Sequence, residues 1–348
     1  MDPAQKSRLG PLHLTQLGFG GAGIGNLGGP VSDRQAREAM TAAWQAGVRY
    51  FDTAPWYGIG LSEHRVGAFL RGQPRQEYVL STKVGRLLKP WPARYGPRRG
   101  PEPWVDPLDF EVRFDYSYGG IVRAWEDSLQ RLGLPAVDML VVHDLDHGYH
   151  HPDGVYQARL GELSNGGFDA LRDLRAAGKV SAIGAGVNVP GTITDILDRF
   201  AVDFFLVAGP YTLVEQQILD TELARAAEAG AKIVIGAAYR SGLLATGSRG
   251  LSAARRSQLG PELIERADRL EALCLRHGVP LAAAALQFPL AHPAVVSLLA
   301  GGLDADQVRQ SATWLATRIP DQLWVELKER GLLPANAPVP LSSGGSTL

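Results

Sequence analysis

Four residues have the types, and the neighbours in sequence, to move a proton. Asp52 and Tyr57 lie in FDTAPWYG (51–58), Lys83 closes STK (81–83), and His143 ends the apolar run VDMLVVH (137–143). A free phenol titrates near pH ~10, too high for a base at neutral pH. An ammonium beside it favours the phenolate and lowers that value. A carboxylate keeps the ammonium charged and oriented, and an imidazole can hydrogen-bond a substrate oxygen. Singly, each has an ordinary explanation: Asp52 as a loop cap, Tyr57 as loop packing, Lys83 as a surface charge. Together, at successive polar ends of apolar runs, they read as one proton-transfer device.

The elements that must position them alternate along the chain. Eight short β-branched or apolar runs read as strands: Gln16–Gly21, Tyr50–Pro55, Tyr78–Val84, Val137–Asp144, Val180–Val187, Asp203–Gly209, Lys232–Ala238 and Val295–Gly301. Several are apolar throughout, as strands buried on both faces are. Between them lie helical patterns over Leu61–Leu70, Gly120–Leu132, Gly167–Ala177, Thr192–Arg199, Gln217–Ala229, Pro280–Leu290 and Asp304–Leu315. The first helix is capped by Ser32-Asp33 and stopped near Ala46 by Gly47. Eight alternations predict an α/β fold, a closed (β/α)8 TIM barrel, whose chemistry gathers at the C-terminal ends of the strands. One barrel domain over residues 1–348 is expected. Long loops follow strands three (Gly85–Tyr118) and four (Asp144–Gly166), an extra helix covers Pro261–His277, and the tail from Pro334 reads as extended. The aromatic content of the first loop, from Trp91 and Tyr95 through Trp104 to Tyr118, favours order.

Composition excludes several classes. Lys and Arg number 35 against 36 Asp and Glu, a formal net charge of -1. That balance does not suit a nucleic-acid binder or a polybasic membrane binder. One cysteine, Cys274, cannot form an internal disulfide, and among Leu270, Leu273 and Leu275 it reads as a buried inert thiol. No apolar run reaches membrane-span length and MDPAQKSRLG has no apolar signal core, so a cytoplasmic enzyme, monomeric or a weak homo-oligomer, is expected.

Two motifs are decoys. Gly18-Phe-Gly20-Gly-Ala-Gly23 fits G-x-G-x-x-G, but the third Gly should open a helix, and Ile24-Gly25-Asn26-Leu27-Gly28-Gly29-Pro30 cannot. It reads as a first βα loop at a barrel mouth. The run His143 to His151 is rich in His and Asp, yet enters a Gly/Pro loop, so no metal is assigned and His147, His150 and His151 read as solvated.

FDTAPWYG, STK and the strand-end His143 resemble the aldo-keto reductase superfamily over nearly the whole chain. EDSLQRLGL (126–134), IGAGVN (183–188), DFFLVAGPYTLVEQ (203–216) and AAALQFPLAHPAV (283–295) are similar to its branch of sugar-lactol dehydrogenases. That branch includes D-threo-aldose (L-fucose, D-arabinose) 1-dehydrogenases and the similar pyridoxal 4-dehydrogenase. The resemblance implies a nicotinamide cofactor bound without a Rossmann domain. It makes Tyr57 the proton donor or acceptor, tuned by Lys83 and Asp52, with His143 and Trp56 at the substrate. It places Asn188 at the carboxamide, with Val187 where relatives have Ser, Gln216 as a further polar contact, and Tyr211 stacked on the nicotinamide. Gly21 of the first loop and Asp52 fall among the cofactor contacts, and Arg240, Ser241, Gly242 and Leu243 of GAAYRSGLL (236–244) fall at the phosphates. Gly302, Asp304, Gln307, Gln310 and Ser311 fall at the adenosine. Relatives carry a cation where Leu303 stands, and the next residue is an acid, Asp304, able to accept from ribose hydroxyls. NAD is therefore expected ahead of NADP. The activity implied is oxidation of a small-molecule cyclic hemiacetal to a lactone. The alternatives are a carbonyl reductase of secondary metabolism and, more remotely, a non-catalytic nucleotide-binding protein.

Overall fold

The computed structural model describes residues 1–91 and 103–341. Its strands are β1 (Lys6–Leu9), β2 (Leu12–Thr15), β3 (Leu17–Gly20), β4 (Tyr50–Asp52), β5 (Val79–Val84), β6 (Arg86–Pro90), β7 (Phe110–Phe114), β8 (Met139–Val142), β9 (Ala182–Val187), β10 (Phe204–Ala208), β11 (Lys232–Gly236) and β12 (Val295–Ala300). Eight of them, β3, β4, β5, β8, β9, β10, β11 and β12, close a parallel barrel in that order. All eight predicted runs are barrel strands, so the TIM barrel expected from the alternation is the fold found.

Helices α1 (Asp33–Gln45), α2 (Leu61–Leu70), α3 (Tyr118–Leu132), α4 (Asp153–Glu162), α5 (Phe168–Ala176), α6 (Thr192–Leu197) and α7 (Ala224–Glu228) accompany the first six barrel strands. After β11 come α8 (Leu243–Thr246), α9 (Ala253–Leu259), α10 (Pro261–Arg276) and α11 (Leu281–Leu290), and after β12 come α12 (Ala305–Ala316) and α13 (Asp321–Glu329). Local chemistry sets their starts. Ser32 and Gln35 form a reciprocal capping box on α1, and such a cap contributes about 1 kcal/mol. Ser117 caps α3 through Gly120 N, which starts that helix two residues before the predicted Gly120. Asp304 caps α12.

Two hairpins are additions to the predicted pattern. β1 and β2 pair antiparallel, and Leu9 and Leu14 pack with Tyr50, Met139, Phe204 and Val296 inside the barrel, closing its N-terminal end. β6 and β7 pair antiparallel from Arg86↔Phe114 to Pro90↔Phe110, so the first long loop is a hairpin arm. Tyr95 lies outside the described residues, as does the tail beyond residue 341; residues 334–341 form neither helix nor strand. The second long loop contains α4, and α9 and α13 also fall where no helix was predicted. Among the described residues no helix is long and apolar enough to cross a membrane.

Candidate active site

Asp52 ends β4 and Lys83 lies in β5, so the parallel register Asp52↔Ser81 sets them side by side. Lys83 Nζ donates to Asp52 Oδ2 at 2.5 Å and to Thr53 O at 3.0 Å. Both side chains are 2% exposed. Ser81 Oγ donates to the other oxygen, Asp52 Oδ1, at 2.7 Å. Every charge taken out of water here has a partner, the condition for a buried pair to be tolerated. Tyr57 lies on the loop after β4, with its ring centroid 4.6 Å from Lys83 Nζ and 5.8 Å from the edge-on ring of His143, which follows β8. The four predicted residues therefore converge on one mouth of the barrel.

Their electrostatics differ from the expectation in one respect. Burial raises the Tyr57 phenol above its usual value, and Lys83 offsets this only in part. Burial would lower Lys83, but Asp52 and Tyr57 more than reverse it. The group is thus a protonated phenol beside a firmly charged ammonium. His143 is held well below the ordinary imidazole range by burial, with Arg86 and Lys83 adding to it, so it is neutral.

A second charge cluster stands behind His143. Arg86, 1% exposed, pairs with Asp144, the residue after His143. Asp144 Oδ2 is also 3.3 Å from His143 Nε2, and Asn188 at the end of β9 donates to Asp144 Oδ1 (2.8 Å) and Asp146 Oδ2 (2.7 Å). The Arg86 guanidinium packs against the rings of Trp56 (4.6 Å), Phe114 (4.9 Å) and Tyr149 (4.9 Å). Asp144 has φ +48°, a left-handed conformation that costs a non-glycine residue on the order of 1 kcal/mol.

The hairpin arm roofs this chemistry. Val105 N donates to Asn26 O and Leu108 N to Gly58 O, pinning the arm to the β3–α1 and β4–α2 loops. Trp104 is thereby set 5.7 Å from the Tyr57 ring and 5.9 Å from Trp56. With Tyr149, these rings form an aromatic surround; Trp56 and the aromatics of the Gly85–Tyr118 loop, Trp104 among them, were expected to line the pocket, and Tyr149 was not.

A groove of about 560 Å³ runs from Asp52 and Tyr57 across the ends of β11 and β12 to Leu303 and Gln307. A larger cavity, about 860 Å³, opens between Gln216 and the start of α10. The smaller one contains the reactive groups and is the candidate site. Its floor is backbone: a Cβ on Gly23 would lie 2.9 Å from Gly302 O. Arg240, Ser241 and Gly242 are successively left-handed (φ +47°, +56° and +90°) along its wall. Arg240 N donates to Ala237 O within this turn, which leaves the Ser241 and Gly242 N–H groups as its donors toward an anion. A dinucleotide with its phosphates on this loop and its nicotinamide at Tyr57 fits the donor set and the bare backbone.

Other predicted contacts are placed differently. Tyr211 is fully buried, packed against Phe288 and His292, and does not line the groove. Gln216 spends its amide on Thr212 O and Leu213 O and accepts from Arg266, clasping its own loop. Ser311 is buried and bonded to Tyr239 Oη and Gln307 O. Leu243 is buried beneath the wall, and Gln310 is exposed on α12. Gly21 is tied to Asp52 O and Ser62 Oγ rather than facing the groove. Arg240 pairs with Glu215 while still lining the groove. His150, expected in solvent, is 2% exposed and bonded to Tyr116 Oη at 3.0 Å. Arg255 of α9 lines the groove without having been predicted, because a polar linker gives no hint of where it folds back.

Comparison with known proteins finds a family and relatives for this chain. The profile of the Aldo/keto reductase family matches residues 16–330. A pyridoxal 4-dehydrogenase from Microbacterium luteolum is 40% identical over 95% of this chain and 98% of its own. A D-threo-aldose 1-dehydrogenase from a Pseudomonas species is 40% identical over 93% and 96%. A solved glycerol dehydrogenase from Gluconobacter oxydans, 21% identical, superposes with a TM-score of 0.72 over 99% of both chains and shares the fold.

Proposed function

This chain belongs to the aldo/keto reductase family, and from that premise we propose that it is a dehydrogenase oxidising a cyclic hemiacetal, an aldose lactol or a related ring, to a lactone. It is an oxidoreductase of a family that uses nicotinamide cofactors. The observation that carries the reading is the buried Asp52–Lys83 pair with Tyr57 and His143 beside it, where Asp52 and Tyr57 line one end of the groove.

The bound nicotinamide supplies the hydride acceptor. The protein's own residues manage the proton. Tyr57 takes the anomeric hydroxyl proton, and Lys83, fixed by Asp52, stabilises the phenolate. His143, neutral, hydrogen-bonds the reacting oxygen. Trp56, Trp104 and Tyr149 offer ring faces to the C–H face of a sugar or to a pyridine ring. A panel of aldoses and pyridoxal with NAD, followed at the NADH absorbance, tests this; no turnover across the panel rejects it.

The phenol itself favours a second reading. Tyr57 is protonated at neutral pH, the form from which carbonyl reduction starts, and the charged Lys83 beside it would stabilise the phenolate left when the proton is given up. Turnover of aldehydes or ketones with NADH, and none of lactols with NAD, decides for reduction. NAD is proposed over NADP because the loop after β12 turns Leu303 and Gln307 to the groove beside the carboxylate of Asp304. Arg255 then serves phosphates common to both cofactors. Arg255→Ala should lower kcat/KM for both alike; a loss confined to NADP would overturn that assignment.

A further inference from the structure

Asp144 is the junction of the second charge cluster. One oxygen receives Asn188, the other receives Arg86 and lies 3.3 Å from His143 Nε2. Three barrel strands, β5, β8 and β9, thus meet through one carboxylate just beyond their ends. None of these contacts is needed to close the barrel. The backbone is left-handed at Asp144, which turns the carboxylate back toward His143 and Asn188. Arg86 is fully buried with Nε left without a hydrogen-bond partner among the described residues. A buried cation incompletely satisfied and an acid on a disfavoured backbone are costly features for packing alone.

We propose that Arg86 and Asp144 are positioning residues for the reaction: Asp144 orients Asn188 toward the cofactor and flanks His143, and Arg86 balances the Asp144 charge so that an uncharged imidazole faces the substrate. The inference rests on the roles given above to His143 and Asn188. Asn188 gives both amide protons to Asp144 and Asp146, which leaves its Oδ1 to accept from a carboxamide. His143 is faced by Tyr57 from the loop after β4, by Lys83 and Arg86 from β5 and β6, and by Asp144 from its own loop. Tyr116 donates to the His143 carbonyl at 2.8 Å and is itself bonded to His150, and Tyr149 packs over Arg86. In this company Arg86 is the cation whose removal leaves a bare carboxylate against the imidazole. That change favours imidazolium.

The test uses the full chain with Arg86→Gln, Asp144→Asn, the double variant, and Arg86→Lys. Nitrogen-15 histidine NMR of the ligand-free protein reads the charge of His143 directly. The native protein, the double variant and Arg86→Lys should keep it neutral, whereas Arg86→Gln should move its titration upward from the native position, burial still opposing the charge. On a substrate that turns over, kcat/KM of Arg86→Gln should gain an acid limb that Arg86→Lys lacks. Asp144→Asn should weaken NAD binding about three- to tenfold, the loss of one oriented hydrogen bond. A His143 titration identical in native and Arg86→Gln protein overturns the charge role. If Arg86→Gln does not fold, the near-isosteric Asp144→Asn decides, and an unchanged Kd for NAD overturns the proposal. The NMR arm needs no substrate, so it reads the charge of His143 the same way even if the substrate class is wrong.

Discussion

The molecule has two buried ion pairs within reach of one mouth, and they are built differently. Lys83 and Asp52 sit on adjacent strands with ordinary backbones, and both carboxylate oxygens and the ammonium are bonded. Arg86 and Asp144 sit where chains leave the strands, with a left-handed acid and an unpartnered Nε. The first pair is fixed by register: once β4 and β5 pair, its residues have nowhere else to go. The second depends on the paths of the β6–β7 hairpin and the loop after β8. Chemistry anchored to strands is held by the whole barrel. Chemistry anchored to loops is held by its own bonds and can be adjusted without altering the fold.

The sharpest way to separate the pairs is to remove the group that only the first one serves. Tyr57→Phe should cut kcat by about 10²–10⁴-fold with NAD affinity unchanged, since the hydroxyl contributes to proton transfer and not to the groove. Stopped-flow turnover and fluorescence titration of NAD check both halves. Next, Lys83→Met should destabilise the protein by about 3–5 kcal/mol, because Asp52 is left buried without its cation. Asp144→Asn should cost less, since the amide keeps one acceptor oxygen for Arg86 and gives up only the one that holds Asn188. Chemical denaturation of the two variants side by side would break the comparison if the order reversed.

Acid should act on the second region. Burial lowers His150 to about 4, with Arg159 and Arg86 contributing, and His143 lies well below its ordinary value. Their folded values are below their unfolded ones, so the unfolded chain takes the proton first. Stability should therefore fall as pH drops below about 6.5. His150→Gln should flatten part of that slope in thermal melts at successive pH values. The smallest effect is expected far from both pairs. Asp304→Asn keeps the cap on α12 but removes the charge, so Tm should hold while kcat/KM with NADP rises a few-fold relative to NAD.

What could be read in the sequence follows the same division. The eight barrel strands and the convergence of Asp52, Tyr57, Lys83 and His143 were legible, because apolar runs with polar ends report both burial and position. Tyr211, Gln216 and Ser311 were assigned to the cofactor through the family resemblance, and a matching position does not say which way a side chain turns. Arg86 and Asp144 adjoin assigned residues, yet nothing in their spacing reveals a partner 58 residues away. The β6–β7 arm was hidden by its Pro and Arg content, which does not alternate like a half-buried strand. α13 (DQLWVELKE) carries a plain helical pattern but lies beyond the eight alternations that a barrel requires, so the barrel pattern gave it no place.

The β1–β2 hairpin has a consequence for traffic. With Leu9 and Leu14 seated in one end and side chains filling the interior, the described residues leave the barrel open at its other end. Whatever is exchanged with Asp52 and Lys83, whether a proton, a water or a ligand, enters and leaves past the same rim. A molecule seated deep in the groove therefore waits on whatever sits above it.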